Sequence, residues 1–138
     1  MVVTIDMQDM RYLNLFSKIT RIQTRFCFKY NETLVFCVPR MLISKSVGPN
    51  RRNVKQLNQI IRKKIKIIPL PKGIEDVSVF IQNIVSPQTF KEIEIKENEI
   101  VLTAGRESKA ALIGRNKRRL LEMQKIIKDF FKKEFRIV

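Results

Sequence analysis

Val47-Gly48-Pro49-Asn50-Arg51-Arg52-Asn53-Val54 and Ile113-Gly114-Arg115-Asn116-Lys117-Arg118-Arg119-Leu120 are two versions of one phrase, set 66 residues apart. Each runs from an apolar residue through a glycine and a turn-prone or basic tripeptide into a basic helical start. A unit repeated at this spacing points to a tandem array. A glycine beside clustered arginine and lysine, on a loop opening into a helix, suits a phosphate backbone. The glycine admits close approach of another backbone, and the helix start favours negative charge.

The elements around the two phrases repeat in the same order. Before the first, Leu13, Phe16 and Ile19 form a helix stripe that Asp6 or Asp9 caps. Phe26, Phe28 and Tyr30 alternate as a strand, Asn31-Glu32-Thr33 turns, and Leu34, Phe36 and Val38 return. A short helix over 41–46 enters the glycine loop. Val54, Leu57, Ile60 and Ile61 line the next helix, and residues 64–68 read as a third strand. Pro69-Leu70-Pro71-Lys72-Gly73 breaks both periodicities and serves as the linker. A second helix stripe follows at Ile74, Val77, Phe80, Ile81 and Ile84. A hairpin over 90–102 comes next, then a short helix over 108–112. After the second loop, Leu120, Met123, Ile127 and Phe130 face one way, and residues 135–138 close the unit. The expectation is an α+β chain of two domains, residues 1–70 and 71–138, each a three-stranded sheet packed by helices.

The 138 residues carry 28 Lys/Arg against 13 Asp/Glu, a net charge of +15. Such a surplus calls for a polyanionic partner, nucleic acid before membrane. It is unevenly spread: residues 1–72 hold 15 basic residues and three acids, whereas residues 73–138 hold 13 and ten. Nine basic residues and no acid fall between Arg40 and Lys66, around the first glycine loop. No apolar run approaches the ~20 residues of a membrane span, so the reading is a soluble, cytoplasmic protein without membrane contact. Histidine is absent, which excludes Cys/His zinc sites and histidine-based triads.

Two helices joined by a glycine loop and packed on a three-stranded sheet resemble a KH domain, an RNA-binding module. With a helix and hairpin placed before the loop, the order resembles the type II form. Two such units filling the chain resemble the archaeal NusA family of transcription factors. Val47-Gly48 leading to Arg52-Asn53-Val54, and Ala111-Leu112-Ile113-Gly114, carry that likeness. The resemblance implies binding of single-stranded RNA, a nascent transcript above all. It also implies a role in transcription termination or antitermination, RNA polymerase as a partner, a monomer, and no enzyme activity or cofactor. A KH protein associated with the ribosome or its assembly, reading ribosomal RNA, is the alternative.

In both loops the final glycine of the family's G-x-x-G is replaced, by Arg51 and by Lys117. Steric fit is thereby traded for phosphate attraction, while Asn50 and Asn116 tolerate left-handed backbone. The candidate RNA contacts are Lys45, Gly48, Pro49, Asn50, Arg51, Arg52 and Lys55 in the first unit. In the second they are Gly114, Arg115, Asn116, Lys117 and Arg118. Arg62, Lys63 and Lys64 read equally as RNA contacts or as a solvated helix end.

The loop lacks the G-K-[ST] ending of a P-loop. Phe26, Phe28, Tyr30 and Phe36 alternate with polar residues and are read as sheet core, not as base-stacking platforms. Glu92 and Glu94 alternate with Ile93 and Ile95, which makes an outward acidic sheet face and not a metal or acid–base site. Counting back from a turn over 31–33 sets Cys27 opposite Cys37, away from the phenylalanines and within reach of a disulfide. Free thiols are the expected state in an intracellular chain. Charge ranks the first unit above the second for RNA affinity.

Overall fold

The computed structural model describes residues 6–138. They divide between Leu70 and Pro71 into two compact units; the first five residues of the expected 1–70 domain lie outside the described residues. Each unit has three strands and three α-helices in the order helix, strand, strand, helix, loop, helix, strand. This is the α+β arrangement of two tandem KH-like units of type II order.

In the first unit, α1 (Met7–Thr20) starts at Asp6, whose Oδ1 accepts the Asp9 N–H at 2.7 Å. β1 (Phe26–Tyr30) and β2 (Thr33–Val38) form an antiparallel hairpin. A 3-10 turn over Arg40–Leu42 leads into α2 (Ile43–Val47), and α3 (Arg52–Ile61) follows the glycine loop. β3 (Lys64–Pro69) pairs parallel to β2, giving the order β1-β2-β3. A parallel pair needs a crossover. Here α2, the loop and α3 make it, which sets the glycine loop at a turn between two helices that both pack on one sheet face.

That face carries Cys27, Leu34, Phe36, Val38 and Ile65, packed with Phe16, Val54 and Leu57. The Phe16 and Phe36 rings stack at 4.4 Å. β2 is central and its residues Leu34 through Val38 are all buried, so it is an unbroken apolar run and not an alternating one.

The hairpin turn corrects one expectation. Tyr30 pairs with Thr33 across a two-residue turn, with Asn31 and Glu32 both left-handed at φ 50° and 60°. This is type I′ geometry, whose twist suits a hairpin. Relative to a three-residue turn the register slips by one, which flips every side chain of one strand. Cys27 therefore sits opposite Phe36, and Cys37 opposite Phe26. The two cysteines lie on opposite faces of the sheet and are free thiols. Burial pushes both thiol pKa values well up. The same slip puts Cys27 on the helix side and Phe26, Phe28 and Tyr30 on the other. Of the four expected core aromatics, only Phe36 joins the helix-packed core. Ile60, expected on the apolar face of α3, is 54% exposed; Val54 and Leu57 are its buried residues.

The second unit opens with a 3-10 turn, Ile74–Asp76, before α4 (Val77–Val85). β4 (Glu92–Ile95) and β5 (Glu99–Thr103) are antiparallel, and β6 (Glu134–Ile137) pairs parallel to β5. Between them lie α5 (Arg106–Ile113) and α6 (Arg118–Phe131). Ile100, Leu102 and Phe135 are buried on one face of this sheet. Glu92 and Glu94 are exposed on the other, as their alternation required. Phe80 packs against Phe130 at 4.9 Å between centroids.

Candidate nucleic-acid interface

Both glycine loops have the same backbone. Gly48 ends α2 at φ +80°, and a 3-10 turn over Pro49–Arg51 follows, closed by the Arg51 N–H donating to the Gly48 carbonyl at 3.1 Å. In the second loop Gly114 has φ +76°, and the Lys117 N–H donates to the Gly114 carbonyl at 3.2 Å. Asn50 and Asn116 are left-handed at φ 53° and 56°, as the tolerance of asparagine allows. Arg51 and Lys117 are left-handed too, each at φ 60°. These are the positions where G-x-x-G carries its last glycine, so the loop keeps that conformation with a long cation in it.

The helices leaving these loops begin against their own electrostatics. Three helix starts are acidic, with Asp6 and Asp9 at α1, Glu75 and Asp76 before α4, and Glu107 in α5, while α2 begins with neither acid nor cation in its first residues. Acids at a helix start complement the positive end of the helix dipole. α3 and α6 have no acid in the first turn and no side-chain cap. They start instead with Arg51 and Arg52, and with Lys117, Arg118 and Arg119. Cations stacked on a positive helix end repel it, and the arrangement becomes favourable when an anion sits among them.

Beside the first loop runs a groove of about 420 Å³ between α3 and the edge strand β3. Its lining is Thr33, Arg51, Val54, Lys55, Asn58, Lys64, Ile65 and Lys66. Four of the eight are cations and none is acidic. Val54 and Ile65, both buried, form an apolar floor. Burial lowers the Lys66 pKa from the usual lysine range, so this ammonium lacks the full solvation a phosphate would replace. A second groove in this unit, lined by Leu13, Asn14, Ser17, Gln23, Thr24 and Arg25, holds one cation only and lies away from the loop.

Of the sequence candidates, the structure brings Arg51 and Lys55 into the groove and sets Gly48, Pro49, Asn50 and Arg52 at its loop end. Lys45 is exposed on α2 and outside the lining. Among Arg62, Lys63 and Lys64, only Lys64 lines it. Ile65, Lys66, Thr33 and Asn58 went unidentified as site residues. The signal for Lys66 was the alternation at the start of β3, which sets it two residues from Lys64 on an edge strand; Thr33, Asn58 and Ile65 carried no such signal.

In the second unit Gly114, Arg115, Asn116, Lys117 and Arg118 occupy the loop, with the four side-chain-bearing residues exposed. The positions matching the first groove differ. Strand pairing matches Thr33 with Glu99, Lys64 with Glu134 and Lys66 with Arg136. Arg136 donates from Nε and Nη2 to Glu99 at 3.1 and 3.3 Å, and Arg136 holds the Glu99 carboxyl below its usual range. Glu134 receives Lys128 at 3.0 Å.

Among the described residues no group of three or more His, Cys, Asp or Glu could hold a metal ion, and no helix is long and apolar enough to cross a membrane.

No protein-family model matches the chain. It is 25% identical over 139 residues, covering 98% of this chain and 92% of the relative, to a Thermoplasma acidophilum protein called "Probable transcription termination protein NusA". Among solved structures, the crystal structure of APE1850 is similar with a TM-score of 0.68 at 21% identity, covering 97% of this chain and 99% of that one. The second likeness concerns the fold.

Proposed function

We propose that this protein is an RNA-binding transcription factor of the NusA type, which binds single-stranded RNA through its glycine loops and acts without catalysis. The observation that carries the reading is the first groove: four cations and no acid, beside an uncapped helix that starts with two arginines. About four nucleotides fit the grooves of KH modules, phosphates at the loop and bases on the apolar floor. Val54 and Ile65 supply that floor here. Residues 1–70 and 71–138 act as two domains of a monomer. The termination role is supported by the name of the similar Thermoplasma protein; an RNA polymerase partner, an archaeal source and a cytoplasmic setting belong to the same proposal.

The test is affinity for single-stranded RNA, duplex RNA and duplex DNA of equal length at matched salt. Single-stranded RNA binds tightest, because a narrow groove accepts splayed bases and not a helix surface. Equal affinity for all three leaves only nonspecific electrostatics and removes the reading. Retention of polymerase from lysate supports the transcription role. Ribonuclease-sensitive retention of ribosomal subunits in its place overturns that part.

A further inference from the structure

Asn53 and Arg119 stand at the same place in the two copies, five residues after Gly48 and Gly114. They are chemically unlike and make the same connection. Asn53 Nδ2 donates to the Ser46 carbonyl at 3.1 Å and lies 3.4 Å from that of Lys45. Arg119 Nη1 donates to the Ala111 carbonyl at 2.9 Å, and Ala111 is the counterpart of Lys45. These acceptors lie in the last turns of α2 and α5, where carbonyls have no partner within the helix. The glycine makes room for the bond. A Cβ on Gly48 would lie 3.0 Å from Asn53 Cγ, and one on Gly114 would lie 2.9 Å from Arg119 Cγ. Each side chain thus passes over its glycine to tie the start of the second helix to the end of the first.

We infer that Asn53 and Arg119 are positioning residues for the two RNA loops, and that Arg119 works through this tie and not as a phosphate contact. The inference rests on the RNA reading of the loops. Two different side chains reaching matching carbonyls across the same turn make the tie a requirement of the loop and not a by-product of one residue's charge. The tie fixes the distance between the helix ends, and with it the spacing of the exposed cations on the loop. A cation spent on a backbone carbonyl is turned toward the preceding helix and away from solvent, which agrees with Arg119 being half-buried while Arg115 through Arg118 are exposed.

The experiment uses the full chain and reads RNA affinity across salt together with amide hydrogen exchange over residues 114–118. Asn53→Ala weakens single-stranded RNA binding about fivefold, the worth of one neutral hydrogen bond, with the salt slope unchanged. Arg119→Ala raises exchange in the second loop. Arg119→Asn, which installs the first unit's tie, leaves exchange and salt slope at wild-type values. A slope reduced by about 0.7 in Arg119→Asn, the increment for one phosphate contact on a single strand, overturns the inference. So does an Asn53→Ala variant with unchanged affinity. Should wild-type protein bind no RNA, the RNA reading fails on its own. Exchange then decides the tie: loosening in Arg119→Ala and not in Arg119→Asn supports it, and equal exchange in all three refutes it.

Discussion

The two glycine loops share a backbone, and the residues at matching positions around them differ in charge. Beside the first, Arg51, Lys55, Lys64 and Lys66 face the groove with no acid among them. At the matching places the second has Lys117, Leu121, Glu134 and Arg136, with Glu99 where the first has Thr33. Two cations are matched there by two carboxylates, and Arg136 is already bound to one of them. The loop that announces the site is thus the less informative part. The strand behind it decides whether a phosphate meets a lining of cations without carboxylates or one in which carboxylates stand beside the cations.

The sharpest way to break this comparison is charge reversal at the loops. Replacing Arg51 and Arg52 with glutamate should weaken single-stranded RNA binding on the order of a hundredfold near physiological salt, since two charge-assisted contacts become repulsions. The same change at Lys117 and Arg118 should cost well under tenfold. All four residues are exposed, so both variants stay folded, which circular dichroism checks. A larger loss from the second pair means the second unit is the reader and charge is the wrong guide, because bases specify while phosphates position.

Grafting the first groove's charges onto the second unit sharpens the same contrast. Glu99→Thr with Glu134→Lys frees Arg136 and adds a cation, leaving the matching positions with three cations and no acid. Affinity should rise roughly tenfold and the salt slope should steepen by about 1.4, two further phosphate contacts on a single strand. Unchanged affinity at low salt would show that the second unit excludes RNA for reasons of shape and not of charge.

Much of this was legible in the sequence. The order of elements followed from periodicity, and the loops from glycines beside clustered cations. The hairpin register did not follow, because type I′ turns need two left-handed residues and Glu32 does not advertise that conformation as Asn31 does. That single residue moved Cys27 and three aromatics of β1 to unexpected faces and left Cys37 where it was expected. The groove wall was hidden for another reason. Lys64 and Lys66 join Arg51 only through pairing of β3 with β2, some thirty residues earlier, and local pattern carries no record of it. Ser46 is hidden too: its buried hydroxyl has no hydrogen-bond partner and takes the place held by Leu112 in the other copy.

Lys66 gives the contrast a pH dependence. Burial lowers its pKa in the free protein, and a bound phosphate would raise it again. Between those two pKa values RNA binding takes up a proton, so affinity falls as pH rises through that alkaline window. At lower pH, where Lys66 is charged in both states, this effect is absent. Wild-type protein should lose a few-fold in affinity per pH unit within the window, up to the tenfold limit for one proton. Lys66→Met should bind more weakly and show a flatter profile. Identical profiles by fluorescence titration would place Lys66 outside the contact.

The smallest effect separates conformation from charge within each loop. Arg51 and Lys117 hold left-handed backbone at φ 60°, which costs a side-chain-bearing residue about 1 kcal/mol or somewhat more. Glycine removes that cost, and its greater freedom in the unfolded chain returns part of it, about 0.5–1 kcal/mol. Arg51→Gly and Lys117→Gly should therefore each stabilise the protein by roughly 0.5 kcal/mol or less. Their effects should be alike, because the two loops have the same dihedral angles, and urea titration reads the difference. Their effects on RNA should not be alike. Arg51→Gly removes a free cation from the first groove and should reduce the salt slope by about 0.7, whereas Lys117→Gly should leave it nearly unchanged. Unequal stability changes would show that the loops are not one conformation. Equal losses in slope would show that the carboxylates of the second unit do not neutralise its cations.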